Sequence, residues 1–156
     1  MQVDKKFMLA AIEEANNSRM QGDYAIGAVI AKGNEILVRV TNRSKLDQDA
    51  TAHAEVRAIR EASRALKTRY LEGCILYTTH EPCPMCASAA VWAKLKGIVF
   101  GARMLDMSDY HLKNGNDEWK WRVIAITCRE VLEKGDPKIE LIEDYMRDEC
   151  LTLFHT

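Results

Sequence analysis

The 156-residue sequence has few of the residues that interrupt regular structure, with only three prolines and eight glycines. It contains no run of eighteen apolar residues, so no membrane-spanning helix is expected. An excess of one charge is also lacking, because 22 Lys and Arg residues oppose 23 Asp and Glu residues and leave a formal net charge of −1. These absences argue against disorder, collagen-like repeats, low-complexity arrays and a general affinity for polyanions.

What is present is the composition of a globular protein, with 47% hydrophobic and 29% charged residues. A chain of this length buries about two thirds of its unfolded surface, which suffices for a core without disulfides. We therefore expect one domain over residues 1–156. The N-terminal segment carries charges where a signal peptide needs an apolar stretch, so a cytoplasmic location is expected.

Cysteine occurs five times, an odd number. In a reducing compartment this count argues against a disulfide framework. Cys83 and Cys86 are three residues apart, a spacing typical of a metal site or a catalytic pair. The others have no ligand-type neighbour at metal spacing and are predicted to be small buried side chains: Cys74, Cys128 and Cys150.

Hydrophobic patterns and turn residues predict regular structure over residues 4–101. A helix over residues 4–20, with Asp4 as its N-cap, precedes a hairpin of strands 25–31 and 35–40 with a two-residue turn. A loop leads to a helix over residues 52–67, capped by Thr51 or Asp49. The remaining elements are a strand at 74–79, a helix from 82–84 to about 95 and a strand at 97–101. This strand, helix and strand form a βαβ crossover, which implies a parallel pair.

The last third of the chain is harder to interpret. Residues 103–118 are polar without a clear period, and residues 119–133 fit either a helix or a strand followed by a turn. Residues 138–143 alternate as a strand does. Residues 145–154 predict a final amphipathic helix. His111 and His155 are interpreted as surface residues.

Three residues are candidate zinc ligands: His53, Cys83 and Cys86. Pro84 is well placed to start a helix, so both thiols would lie in its first turn, where the positive helix terminus favours thiolates. Three ligands leave one position for water, as in catalytic zinc sites. His80 offers an alternative, because it could complete a closed four-ligand structural site.

Glu55 lies two residues after His53 and is a candidate proton carrier for water at such a metal. Two thiolate ligands neutralise the zinc charge, so the metal acidifies its water less than an all-imidazole site would. A carboxylate base is therefore needed, and Glu55 supplies one.

His53-Ala54-Glu55 together with Pro82-Cys83-Pro84-Met85-Cys86 resembles the H-x-E and P-C-x-x-C signature of the zinc nucleobase deaminases. Further matches include the segments 51–56, 76–79 and 99–103. They are similar to the branch of tRNA adenosine deaminases, guanine deaminases and fungal-type cytosine deaminase. The resemblance implies an α/β fold of three layers, α/β/α, with a mixed five-stranded sheet. It also implies one zinc per chain and a homodimer or larger homo-oligomer.

The resemblance further implies roles for individual residues. Zinc falls on His53, Cys83 and Cys86, and Glu55 moves protons while water replaces the exocyclic amine and ammonia leaves. Asn42 and the backbone N–H of Ala54 are expected to contact the base. Further substrate-contact candidates are Trp92, for which core packing is an equal alternative, and Asp109, which could form an acidic pair with Asp106.

The substrate is less determined than the chemistry. The net charge of −1, the acidic last segment and the unusual insertion at residues 104–137 favour a small free base or nucleoside over tRNA. Guanine is the favoured small substrate, because the residues around His53, Cys83 and Trp92 resemble those of guanine deaminases most. The alternatives are a tRNA-specific adenosine deaminase, a cytosine or cytidine deaminase, and a zinc-stabilised RNA-binding module without catalysis.

Overall fold

The computed structural model describes residues 1–154, so the prediction for His155 lies outside the described residues. Its elements are, in chain order, α1 Lys5–Met20, β1 Gly27–Lys32, β2 Glu35–Thr41, α2 Ala54–Leu66, β3 Cys74–His80, α3 Pro84–Trp92, β4 Gly97–Ala102, α4 Met104–Asn114, α5 Cys128–Lys134, β5 Glu140–Ile142 and α6 Arg147–Cys150, followed by a 3₁₀ turn at Leu151–Leu153. No helix within residues 1–154 has the length and apolar character needed to cross a membrane.

The five strands form one mixed sheet in the order β2-β1-β3-β4-β5. β1 pairs antiparallel with β2, because a two-residue turn returns the chain from Lys32 to Glu35, and the other edge of β1 pairs antiparallel with β3. The crossover through α3 makes β3 and β4 parallel, and β5 adds parallel to β4. These pairings confirm the mixed five-stranded sheet, the hairpin and the βαβ unit.

Both faces of the sheet are buried, and alternate residues supply the two cores. Ile30, Leu76 and Ile98 lie side by side on adjacent strands and pack towards one core, which also receives Ala58 of α2 and Ala90 of α3. Their chain neighbours face the opposite core beneath α1: Val29, Tyr77 and Val99. All six are fully buried. The expected three-layer arrangement is therefore confirmed.

Helix starts were predicted with mixed success. Asp4 caps α1 as expected, since its carboxylate accepts a hydrogen bond from the Lys6 N–H at 2.9 Å. The predicted cap of α2 is wrong, because His53 occupies the N-cap position without a side-chain cap. Asp49 instead accepts from the Thr51 N–H at 2.8 Å and the Thr51 hydroxyl at 2.7 Å, so both residues are engaged within the preceding loop.

The tail differs most from the sequence prediction. α4 occupies part of the segment without a clear period, and none of its residues is fully buried, so it has no strongly apolar face to detect. In the segment 119–133 only the residues from Cys128 onward are helical. The helix predicted over residues 145–154 is replaced by one short α-helical turn followed by one 3₁₀ turn. The three cysteines predicted to be buried are buried: Cys74, Cys128 and Cys150.

Candidate active site

The candidate metal ligands converge where α2 and α3 begin. His53 and Cys83 are the N-cap residues of these helices, and Cys86 lies in the first turn of α3. Pro84 at the first helical position fixes the turn that brings the two thiols together. The Cys83 Sγ to Cys86 Sγ distance is 3.6 Å, and His53 Nδ1 lies 3.6 Å from Cys83 Sγ and 3.5 Å from Cys86 Sγ.

This triangle has the dimensions of a zinc site. Tetrahedral zinc, with Zn–S bonds of about 2.3 Å and Zn–N bonds of about 2.05 Å, requires S···S separations of about 3.8 Å and S···N separations of about 3.6 Å. The observed edges of 3.5 to 3.6 Å agree with these values to about 0.2 Å. Two thiolates and an imidazole are also a donor set that zinc favours.

The group contains three ligands among the residues described, His53, Cys83 and Cys86. His80 is not a member of this group. Its Nδ1 lies 2.7 Å from the Thr79 hydroxyl, and its ring stacks on Trp121 with the ring centroids 5.4 Å apart. This placement does not support the closed four-ligand alternative. A tetrahedral ion here would keep one position for water or substrate.

Electrostatics favour the ligating form of one of these side chains, Cys83, before a metal binds. A hydrogen bond from Cys86 and the neighbouring His53 lower the pKa of Cys83 to about 4, so its thiolate is the dominant form at neutral pH. The pKa of Cys86 is raised by the adjacent Cys83 and by burial. The thiolate in turn raises the pKa of His53. Binding of a cation would therefore release protons from Cys86 and His53, because the ligating forms are thiolate and neutral imidazole.

Glu55 extends from the first turn of α2 into the same space. Its Oε2 lies 3.7 Å from Cys86 Sγ, and its Oε1 lies 3.2 Å from the Thr78 hydroxyl, which is placed to donate to it. Burial raises the pKa of this carboxyl group, since only 4% of the residue is exposed. A carboxyl group with a raised pKa beside an open metal position is suited to accepting and returning a proton.

Asn42 is held rigidly at the inner edge of the site. Its Nδ2 donates to Asp23 Oδ1 at 2.9 Å and to the Ser44 hydroxyl at 3.0 Å, while its Oδ1 accepts from the Ala54 N–H at 3.2 Å. The Ala54 N–H is therefore engaged by a side chain of the protein and is not directed at a base as expected. One lone pair of Asn42 Oδ1 remains to accept a hydrogen bond from a ligand.

Asp23 is a residue that the sequence analysis missed. Its carboxylate is fully buried and accepts four hydrogen bonds, from the side chain of Asn42 and from the backbone N–H groups of Tyr24, Lys45 and Leu46. An isolated aspartate in a loop carries no sequence signal of such a role. Its position directly after Gly22, at a break between helix and strand, was the only local hint.

Two predicted substrate contacts lie elsewhere. Trp92 is 81% exposed at the end of α3, which contradicts core packing, and it is not among the residues that line the cavity beside Glu55, which contradicts a role at the border of the substrate pocket. The physical reason is its position about 200° around the helix from the buried Ala90. Asp109 is exposed on α4 and borders a separate shallow depression with Tyr110 and Lys113. Its proposed partner Asp106 instead pairs with Arg147 at 2.6 Å.

The ligand group and Glu55 open into a cleft of about 790 Å³. Asn42 and Ser44 line its inner side, and Met104 and Met107 of α4 line another. The outer side is formed by the irregular segment 116–124, hereafter the cleft wall. Its lining residues are Asp117, Glu118, Lys120, Trp121, Arg122, Val123 and Ile124. This contribution of the insertion was not predicted.

Comparison with known proteins supports the chemistry of the site. A family model described as the cytidine and deoxycytidylate deaminase zinc-binding region matches residues 1–102. This range contains every candidate ligand, Glu55 and Asn42. It ends at the last residue of β4, so α4, the cleft wall and the remaining elements lie beyond it.

Several curated relatives are described as tRNA-specific adenosine deaminases. One from Bacillus subtilis is 45% identical over 102 residues, which is 65% of this chain and 63% of that protein. One from Aquifex aeolicus matches over 64% of its length, so the chain spans just under two thirds of these two relatives. Another, from Buchnera aphidicola, is 34% identical over 152 residues, covering 96% of this chain and 85% of that protein. A Bacillus subtilis guanine deaminase is 42% identical over 96 residues.

A solved structure shows that the likeness extends along the chain. It comes from a study of A-to-I editing by tRNA:A34 deaminases and superposes with a TM-score of 0.80 at 26% identity. The match covers 97% of this chain and 100% of the other. The preference for guanine over tRNA is not confirmed by these comparisons, which support the tRNA alternative better. The ligand geometry, the family match and the shared fold lead to one conclusion: the chain belongs to the zinc-binding cytidine and deoxycytidylate deaminase family.

Proposed function

We propose that this protein is a zinc-dependent hydrolytic deaminase and that its substrate is an adenosine in tRNA. The observation that carries the proposal is the triangle of ligand atoms with edges of 3.5 to 3.6 Å, beside a buried carboxylate. A purely structural metal site would not need Glu55 at the open side of that triangle. The roles of the individual site residues are part of this proposal.

His53, Cys83 and Cys86 would hold one zinc ion per chain. When bound, the ion would supply the Lewis acidity that makes water nucleophilic at neutral pH. Glu55 would take a proton from the attacking water and deliver it to the ring nitrogen next to the amino-bearing carbon. It would then carry the second proton to the exocyclic amine. The C–N bond breaks, a C=O bond replaces it, and ammonia leaves.

The surrounding residues would orient Glu55 and the base. The Thr78 hydroxyl, at 3.2 Å from Oε1, restrains one carboxylate oxygen so that Oε2 stays on the ligand side. Asn42 would accept a hydrogen bond from the base through its remaining Oδ1 lone pair, because both hydrogens of its Nδ2 are already donated. Its firm anchoring limits the entropy lost when a base binds.

Two arguments support tRNA as substrate. Three relatives that are 34 to 45% identical to this chain are described as tRNA-specific adenosine deaminases. The cleft of about 790 Å³ lies in the upper part of the range for small-molecule pockets, so it has room for a base together with part of its neighbours. Guanine is retained as a second candidate because Asp117 and Glu118 balance Lys120 and Arg122 on the cleft wall, which leaves that surface without an excess of positive charge for phosphates.

The substrate test is ammonia release from guanine, cytosine, adenosine, cytidine and a tRNA transcript. We expect release from the tRNA with formation of inosine, and a steep fall in activity as salt rises, because phosphate contacts release counterions. The matched control is Glu55→Gln, which should release ammonia at least about 10³-fold more slowly. Salt-insensitive release from guanine alone would transfer the assignment to the second candidate. No release from any substrate would contradict the proposed function. The expected oligomer and cytoplasmic location stay predictions.

A further inference from the structure

The cleft wall, residues 116–124, is irregular chain between α4 and α5, yet it is held firmly at its base. Glu81, two residues before the ligand Cys83, is only 8% exposed. Its Oε2 accepts from the Met104 N–H at 2.6 Å and its Oε1 accepts from the Cys128 N–H at 3.0 Å. These are the first residues of α4 and α5, so one carboxylate beside the metal site fixes the helices on both sides of the wall.

The middle of the wall is held by Tyr24. Its hydroxyl donates to the Lys120 carbonyl at 3.0 Å and accepts from the Lys120 N–H at 3.1 Å. The phenol ring packs edge-on against Trp119 and Trp121, with centroid distances of 5.1 and 5.0 Å. A single side chain thus contacts three consecutive residues of the wall.

A second connection comes from the loop that carries Asn42. Lys45 Nζ lies 3.9 Å from the centre of the Trp119 ring and 3.4 Å from Glu118 Oε1. The Lys45 backbone N–H in turn donates to Asp23, the residue next to Tyr24. Asp23 and Tyr24 therefore connect the inner side of the cleft, at Asn42, with its outer side, at the wall.

We propose that Tyr24 is a positioning residue that latches the cleft wall against the Asn42 loop, and that this latched wall determines how tightly substrate is held. The inference rests on the deaminase function proposed above. Its physical basis is that the reacting groups and the cleft wall belong to different segments of the chain. The ligands and Glu55 belong to α2 and α3, whereas a third of the lining belongs to the wall. Loosening the wall should weaken binding and leave the reacting groups in place.

The test is Tyr24→Phe, which removes both hydrogen bonds to Lys120 but keeps the ring. With the tRNA transcript as substrate, KM should rise about tenfold while kcat stays within about threefold. This pattern is expected when the lost interactions stabilise the bound substrate and the transition state equally. Zinc content should not change. Lys45→Gln, which loosens the wall from the other side, should raise KM in the same direction by a smaller factor.

Tyr70→Phe is the matched control, because Tyr70 lies beyond α2 and its ring contacts Lys94 and Arg69 instead of the cleft. It should leave KM and kcat unchanged. If Tyr24→Phe leaves KM unchanged, or lowers kcat at constant KM, the proposed role is wrong.

Hydrogen exchange separates the latch from the reaction. In Tyr24→Phe the Lys120 amide should exchange about tenfold faster than in the native protein, since it loses its acceptor, whereas Tyr70→Phe should not alter it. An unchanged exchange rate at Lys120 would contradict the proposed role of Tyr24, whatever the substrate is. Faster exchange in a protein that deaminates none of the substrates would support the role of Tyr24 and contradict the proposed function instead.

Discussion

Glu55→Gln is expected to lower the rate of deamination by about 10³- to 10⁴-fold while leaving zinc bound. Glutamine keeps the size of the side chain and can still meet the Thr78 hydroxyl, but it can neither accept the proton of water nor return it to the base. The measurement is ammonia release at saturating substrate, with metal content determined on the same sample.

The control for this prediction is a carboxylate of similar burial outside the ligand group. Glu81→Gln retains one acceptor for the N–H groups of α4 and α5 and should reduce activity far less than Glu55→Gln. Loss of zinc together with activity in Glu55→Gln would mean that Glu55 acts by holding the metal. Activity within tenfold of the native protein would show that another group carries the proton.

Cys83→Ala is expected to abolish both zinc binding and ammonia release. It leaves two of three ligands and removes the thiol whose pKa lies at about 4. Bound metal at 1,000 times its Kd stabilises the folded state by about 4 kcal/mol, which corresponds to about 8 to 16 °C in Tm for a chain of this size. The Tm of Cys83→Ala should therefore fall by this amount and match that of the native protein stripped of metal.

Two variants control the metal prediction. Cys74→Ala makes the same substitution at a buried cysteine outside the site and should keep one zinc per chain. His80→Ala tests the closed four-ligand alternative, and zinc should be retained because His80 lies outside the ligand group. Zinc loss in His80→Ala equal to that in Cys83→Ala would establish the four-ligand site.

The sequence predicted the fold best where burial selects apolar residues. The continuous apolar runs in β1, β3 and β4 follow from a sheet covered on both faces, and the small residues of α3 follow from its packing on that sheet. α4 was missed because none of its residues is fully buried, so no apolar stripe marks it. The start of α5 does carry a local signal, because Thr127 and Glu130 form a capping box.

The residues of the candidate site also differ in whether the sequence could predict them. His53, Cys83 and Cys86 could be predicted because metal ligands need specific side chains at specific spacings. Asp23 and Tyr24 could not, since hydrogen bonds over 19 and 96 residues of separation leave no local pattern. Trp92 was misplaced because a tryptophan on a helix beside the ligands indicates proximity but not the face on which it lies.

Net charge was the weakest guide to the substrate. A total of −1 sums the charges of the whole chain and does not show which of them lie at the cleft. The cleft wall, for example, carries two basic residues, Lys120 and Arg122, together with Asp117 and Glu118. Local arrangement therefore outweighs the total when a partner is inferred.

The most direct test of the account is a zinc titration of the metal-free protein with ammonia release measured at each addition. We predict no release before zinc is added, a rise in proportion to bound zinc, and saturation at one zinc per chain. Glu55→Gln should bind zinc equally and release ammonia at least about 10³-fold more slowly. Full activity without metal would contradict the account. So would stoichiometric zinc binding with no ammonia from any of the tRNA, nucleoside and base substrates, which would identify a structural zinc site.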